Sequence, residues 1–182
     1  LLRLAHLAIS GMHVGDAGAL ALAAALDRGA LPRLKILSLN NAAIGDAGLV
    51  ALAPALRQLP ALETLNLAFN RFGDDGLAAL VAPPAGGLTV LKGLDLSNTK
   101  VTDAGCAALT AALDGGMLLP ALEELSLAGT GPGRSAAARA AVQEALAKSR
   151  SMSVHALERL FRSSLPGYDA TGHRINGHPH WW

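Results

Sequence analysis

Aromatic side chains make up only 3% of the 182 residues, although 51% of the chain is hydrophobic. A core with so few rings must be filled by Leu and Ala, and the hydrophobic fraction excludes a disordered chain. Cysteine is nearly missing as well. Cys106 stands alone, which excludes an intramolecular disulfide and fits a reducing, cytoplasmic compartment. Charge of either sign is sparse and balanced, 15 basic against 14 acidic residues for a net of +1, and the basic residues are scattered. Without a basic stripe the chain has little with which to grip a polyanion, so no nucleic-acid partner is expected. The apolar stretch Ala17–Leu26 falls short of the ~18 or more apolar residues that a membrane span needs and lacks a basic lead-in. It has counterparts at Leu49–Leu56 and Cys106–Leu113, so it reads as a repeat helix and no membrane partner is expected.

What the chain does have is a period. Leu-x-x-Leu-x-Leu, or its Ile variant, begins at Leu4, Leu34, Leu62, Leu91 and Leu122, at intervals of 30, 28, 29 and 31 residues. In four copies a Gly-Asp-x-Gly turn or a close variant follows. Such self-similarity marks a stacked repeat, which offers a long surface in place of one central pocket and is suited to gripping another macromolecule. In Leu34-Lys35-Ile36-Leu37-Ser38-Leu39 the alternation about Leu37 and Leu39 is that of a short strand with its leucines turned inward. After the turn, Leu52 and Leu56 at i, i+4 give a helix one apolar stripe. The unit is strand, turn, helix. Asp16, Asp46, Asp74 and Asp103 stand where a carboxylate caps the helix it opens. Strands ~4.8 Å apart beside helices ~10 Å apart force the stack to curve, with the sheet inside. The chain opens at Leu1 with Leu4 already inside a repeat, which reads as part of a longer array.

The run Leu62-Glu63-Thr64-Leu65-Asn66-Leu67-Ala68-Phe69-Asn70-Arg71-Phe72-Gly73-Asp74-Asp75-Gly76 resembles the leucine-rich repeat of the ribonuclease-inhibitor type, LxxLxLxxNxIGDxG followed by a helix. The resemblance spans roughly Leu4 to Leu146. It implies an α/β leucine-rich-repeat solenoid, a horseshoe with a parallel β-sheet on its concave face and helices on its convex face. It also implies a protein partner bound by that face or its loops. Relatives of this type include Ran GTPase-activating protein and NOD-like receptors, so a regulator of a small GTPase and a ligand-sensing receptor segment are the alternative functions. A GTPase regulator would need a loop arginine, and Arg71 and Arg134 are the ones available. The sequence departs from the family where Asn is preferred: only Asn70 matches, with Met12, Ala42, Thr99 and Thr130 elsewhere. Pro83-Pro84 should shorten the third helix.

No residue set reads as an enzyme, a cofactor site or a metal site. Ala128-Gly129-Thr130-Gly131-Pro132-Gly133-Arg134-Ser135 approaches a phosphate loop, but Pro132 removes a backbone donor and the lysine is missing. His173, His178 and His180 lack the Cys or acidic companions of a four-ligand site. Asp74-Asp75 and Glu123-Glu124 are sequence neighbours whose side chains diverge, unsuited to acid–base work. Cys106 reads as a small hydrophobe on a helix.

Strand positions alternating with the buried leucines give the candidate partner-binding face: His6, Ser38, Asn40, Thr64, Asn66, Asp95, Ser97, Glu124 and Ser126, with Phe69 and Asn98 at the strand exits. Residues 1–148 are expected to form the repeat array and 149–182 a capping helix and tail. Within the latter, Val154, Leu157, Leu160 and Phe161 form one apolar stripe of a short helix over Val154–Phe161.

Overall fold

The computed structural model of the chain describes residues 3–82, 88–115, 119–129 and 135–163, with side chains as far as residue 150. Strand and helix alternate five times: β1 (His6–Ala8), α1 (Gly15–Asp27), β2 (Ile36–Ser38), α2 (Asp46–Arg57), β3 (Thr64–Asn66), α3 (Asp74–Leu80), β4 (Gly93–Asp95), α4 (Asp103–Asp114), β5 (Glu124–Ser126) and α5 (Ala136–Ser163). The strands pair in sequence order and are all parallel. Their register stacks Leu7, Leu37, Leu65, Leu94 and Leu125 in one column. In the second and third repeats every recurring apolar position is sealed: Leu34, Leu37, Leu39 and Ile44, then Leu62, Leu65, Leu67 and Phe72, are all 0% exposed. Each such side chain contributes about 1.5–3 kcal/mol of burial, which is how a core with almost no aromatic residues holds. Leu4, Leu7, Ile9 and Val14, packed by a repeat on one side, are only partly buried.

The helices lie against one another in sequence order. Leu49, Leu52, Ala53 and Leu56 of α2 are buried at i, i+3, i+4, i+7, the stripe of a one-sided helix. Cys106, on the buried side of α4, is part of the core. The third helix is shortened, as Pro83-Pro84 leads one to expect: α3 has 7 residues where α2 and α4 have 12. Its end leaves carbonyls without helical partners. Arg57, at the end of α2, donates from Nη1 to Ala79 O (2.9 Å) in the last turn of α3 and to Ala82 O (3.0 Å) just beyond it.

The turn aspartates do not cap their own helices. Asp16 Oδ1 accepts from Gly45 N–H (2.7 Å), Asp46 Oδ1 from Gly73 and Gly76 (both 2.8 Å), Asp74 Oδ1 from Thr102 (2.8 Å) and Gly105 (3.0 Å), and Asp103 Oδ1 from Ser135 (2.6 Å). Each carboxylate thus serves the N-terminus of the following repeat's helix, where free N–H groups and the helix dipole favour an anion. The arrangement also explains the last glycine of the turn. A β-carbon on Gly48 would come within 2.5 Å of Asp16 Oδ1, and one on Gly105 would collide with Asp74 Oδ1. The glycine of one repeat makes room for the carboxylate of the repeat before it.

Asn70 supplies a second tie. Its Oδ1 accepts from Ala42 (3.2 Å) and Ile44 (3.0 Å) of the second repeat, while its Nδ2 donates to Leu39 O (2.8 Å) and Leu67 O (2.9 Å). The backbone at Ala42, where the repeat lacks its own Asn, is therefore satisfied by the next repeat. Thr99 substitutes in part, its hydroxyl donating to Leu96 O (2.8 Å).

The short helix expected over Val154–Phe161 is the last part of α5, one 28-residue helix that begins at Ala136. Val142, Ala145, Leu146 and Ser149 form its buried stripe, and it packs on α4. The capping contacts expected of Val154–Phe161, the loop 130–134 and the tail His173–Trp182 lie outside the described residues and side chains. No described helix is long and apolar enough to cross a membrane.

Candidate functional site

The strand register sets two columns of side chains on the sheet face away from the core: His6, Ile36, Thr64, Gly93 and Glu124, and beside them Ala8, Ser38, Asn66, Asp95 and Ser126. The expected residues fall here or just beyond, and the chain's own hydrogen bonds fix several of them. Ser38 Oγ lies 3.2 Å from Ser10 Oγ and donates to Asn40 Oδ1 (3.1 Å). Asn66 Oδ1 accepts from Ala68 N–H, and Asp95 Oδ1 from Ser97 N–H, each at 3.0 Å. These local turns hold the polar ends of the face in place.

Exposure divides the candidates. His6, Phe69, Asn98 and Glu124 are exposed, whereas Ser38, Asn40, Thr64, Asn66, Asp95 and Ser126 are half-buried. Ser97 departs from the expectation: it is 7% exposed, with its Oγ 2.7 Å from Ser126 Oγ, so it braces the sheet and offers a partner almost no area. Gly93 leaves a gap in the first column, lined by Thr64. The two columns carry Asp95 and Glu124 and no Lys or Arg, giving a polar face that leans acidic towards β5. An open groove of about 480 Å³ crosses it from Thr64 and Asn66 to Arg150 on α5.

At the strand entrances the charges alternate. Lys35 Nζ is 2.8 Å from Glu63 Oε1, and Lys92 Nζ is 3.1 Å from Glu63 Oε2. Hydrogen bonds from Lys35 first, then Lys92, hold the Glu63 carboxyl below its ordinary pKa. Glu123 continues the series beside Lys92.

One feature of the face was missed in the sequence. The strand-exit positions Gly11, Asn41, Phe69, Asn98 and Gly129 all adopt positive φ, at 72°, 52°, 57°, 55° and 80°. Gly and Asn tolerate this left-handed conformation, but a bulky aromatic side chain does not adopt it freely. Gly or Asn at four of the five positions is the signal that could have found the column. Phe69 is the exception, and it is 57% exposed.

The Leucine Rich repeat family model matches residues 31–53, 58–81 and 87–109, three of the five structural units. Together with the parallel sheet and the helix layer, this decides the architecture. The chain is a leucine-rich-repeat solenoid. Two solved leucine-rich-repeat structures superpose on it over most of their length. One, titled leiomodin-1 actin-binding site 2, has a TM-score of 0.66 at 16% identity and covers 90% of each chain. The other, the tropomodulin C-terminal domain from Caenorhabditis elegans, has a TM-score of 0.62 at 22% identity, with 87% of this solenoid and 90% of that chain covered. No curated protein matches the solenoid significantly by sequence.

Proposed function

We propose that this solenoid is a protein-interaction scaffold of the ribonuclease-inhibitor type, and that its partner docks on the sheet face and strand-exit row around Phe69. Phe69 carries the reading. It is a large apolar side chain held 57% exposed, in a conformation costing about 1 kcal/mol or more, at a position where four other repeats use Gly or Asn. Stability gains little from such a choice, whereas an aromatic anchor ringed by ordered polar groups is what a protein interface uses. The half-buried polar residues of the same sheet face, Asn66, Asp95 and Ser126, supply the rim.

Actin is the first partner to try, because the leiomodin-1 structure that this fold resembles is titled an actin-binding site. A small-GTPase regulator, the alternative, would depend on exposed Arg71. The immobilised chain is offered actin and, in parallel, a whole-cell extract, and hydrogen exchange then locates the protected amides. Protection along residues 66–70 and 95–98 upholds the reading; a partner that shields only the outer surfaces of α1–α4 contradicts it.

A further inference from the structure

Besides the sheet face, the fold presents a sheet edge with a built recess. Between neighbouring strands two backbone ties recur. The carbonyl two residues before each central leucine accepts two N–H groups from the next strand: Ala5 O from Lys35 and Ile36, Lys35 O from Glu63 and Thr64, Glu63 O from Lys92 and Gly93, Lys92 O from Glu123 and Glu124. At the strand exits, Gly11, Asn41, Phe69 and Asn98 each donate a backbone N–H to a carbonyl of the next repeat. At β5 both series reach Glu123 O and Gly129 N–H, which have no partner among the described residues. Glu124 N–H and Ser126 O bond to β4, so the strand alternation turns the backbone groups of Leu125 to the open side.

An unpaired parallel edge invites another strand. Here α5 stands off from the edge, and the groove runs between Glu123, Glu124 and Leu125 of β5 and Gln143, Leu146 and Arg150 of α5. Leu125 is half-buried, whereas Leu37 and Leu65 in the same column are 0% exposed. The recess therefore offers an apolar contact at its centre and two carboxylates at its entrance. The charge series Lys35, Glu63, Lys92, Glu123 calls for a cation as its next member.

We infer that the β5 edge binds an extended segment of a partner protein as a sixth parallel strand, one with Lys or Arg opposite Glu123 and an aliphatic residue two places later opposite Leu125. The pattern occurs within this chain as Lys35-Ile36-Leu37, which pairs with the strand entered by Glu63. The site is separate from Phe69, so either reading can fail while the other stands.

The probe is a labelled synthetic peptide reproducing residues 34–40, titrated by fluorescence anisotropy against the full chain. Saturable binding is expected. It should weaken at least tenfold when the peptide lysine is replaced by Glu, recover in part with Glu123→Lys in the protein, and be unchanged by Phe69→Asn. N-methylation of the peptide amides that face β5 should abolish binding, while methylation of alternate amides should leave it intact. Equal binding of both methylated peptides would overturn strand addition. So would no saturable binding up to about 1 mM, whether because a second copy or the chain's own residues 164–182 fill the edge. Concentration-dependent association of the chain that the peptide competes away would assign the edge to a second copy and overturn the inference as well.

Discussion

Asp46→Ala tests the reading that the turn aspartates tie one repeat to the next. Asp46 Oδ1 accepts two N–H groups at 2.8 Å, from Gly73 and Gly76, at the opening of α3. Hydrogen bonds to a charged acceptor contribute about 1.5–3 kcal/mol each, and a carboxylate at a helix N-terminus adds about 0.3–1. The site is only part-buried and water can replace some of what is lost, so the expected cost is about 2–3 kcal/mol. Asp75 provides the control. It lies in the first turn of the same helix but is exposed, so Asp75→Ala loses only the dipole contribution, about 0.5 kcal/mol. Denaturant melts give the totals, and amide hydrogen exchange gives the location. Asp46→Ala should lose protection at Gly73 and Gly76, 27 and 30 residues away in sequence. Loss of protection in the first turn of α2 with α3 unaffected would mean that Asp46 caps its own helix, and the cross-repeat account would be wrong.

Other perturbations separate the remaining contributions. Leu67→Ala should cost about 2–5 kcal/mol in a denaturant melt, since Leu67 is 0% exposed between two repeats; a loss below about 0.5 would place the strand register in error. Asn70→Ala strips partners from Leu39 O and from the Ala42 and Ile44 amides and should cost about 3 kcal/mol, with exchange rising at those two amides first. Arg57→Ala leaves Ala79 O and Ala82 O to water at the short end of α3, and a loss of about 1–2 kcal/mol is expected in the same melt. Glu63→Gln concerns pH. Because the folded carboxyl titrates below its ordinary value, its contribution is present at neutral pH and is lost as pH falls through that lowered value. Wild type and Glu63→Gln should therefore differ slightly at pH 7 and low salt and converge as the pH falls through that lowered value; a difference that grows in acid would reverse the assignment.

The architecture was legible because it is local and repeated. Leu37, Leu65 and Leu94 advertise an inward strand position by alternation, and Pro83-Pro84 announces a short α3. The two face columns followed from the same alternation. What the sequence concealed lies between repeats. An aspartate before a helix reads as that helix's cap, and only coordinates show the 27–31-residue reach of Asp46 and Asp74 to the next one. Ser97 obeys the outward periodicity, yet a neighbouring strand brings Ser126 against it and closes it off. The helix expected from Val154 turned out to begin at Ala136, where a separate stripe at Val142, Ala145, Leu146 and Ser149 packs the first half of α5 into the core. The left-handed column ending at Gly129 was visible in outline as Gly and Asn, but Phe69 in the middle of it disguised the pattern.

Two phenylalanines three residues apart put the central claim to its most direct test. Phe72 is 0% exposed and Phe69 57%, so Phe72→Ala should cost about 3–5 kcal/mol, as a core deletion does, and sets the scale. The deciding measurement is Phe69→Asn, read for stability by denaturant melt and for partner binding by quantitative capture from extract. Asn restores the residue type found at Asn41 and Asn98, so stability should change by less than about 1 kcal/mol, while retained partner falls at least tenfold. Undiminished capture, or a stability loss above about 2 kcal/mol, would show that Phe69 belongs to the fold and not to an interface.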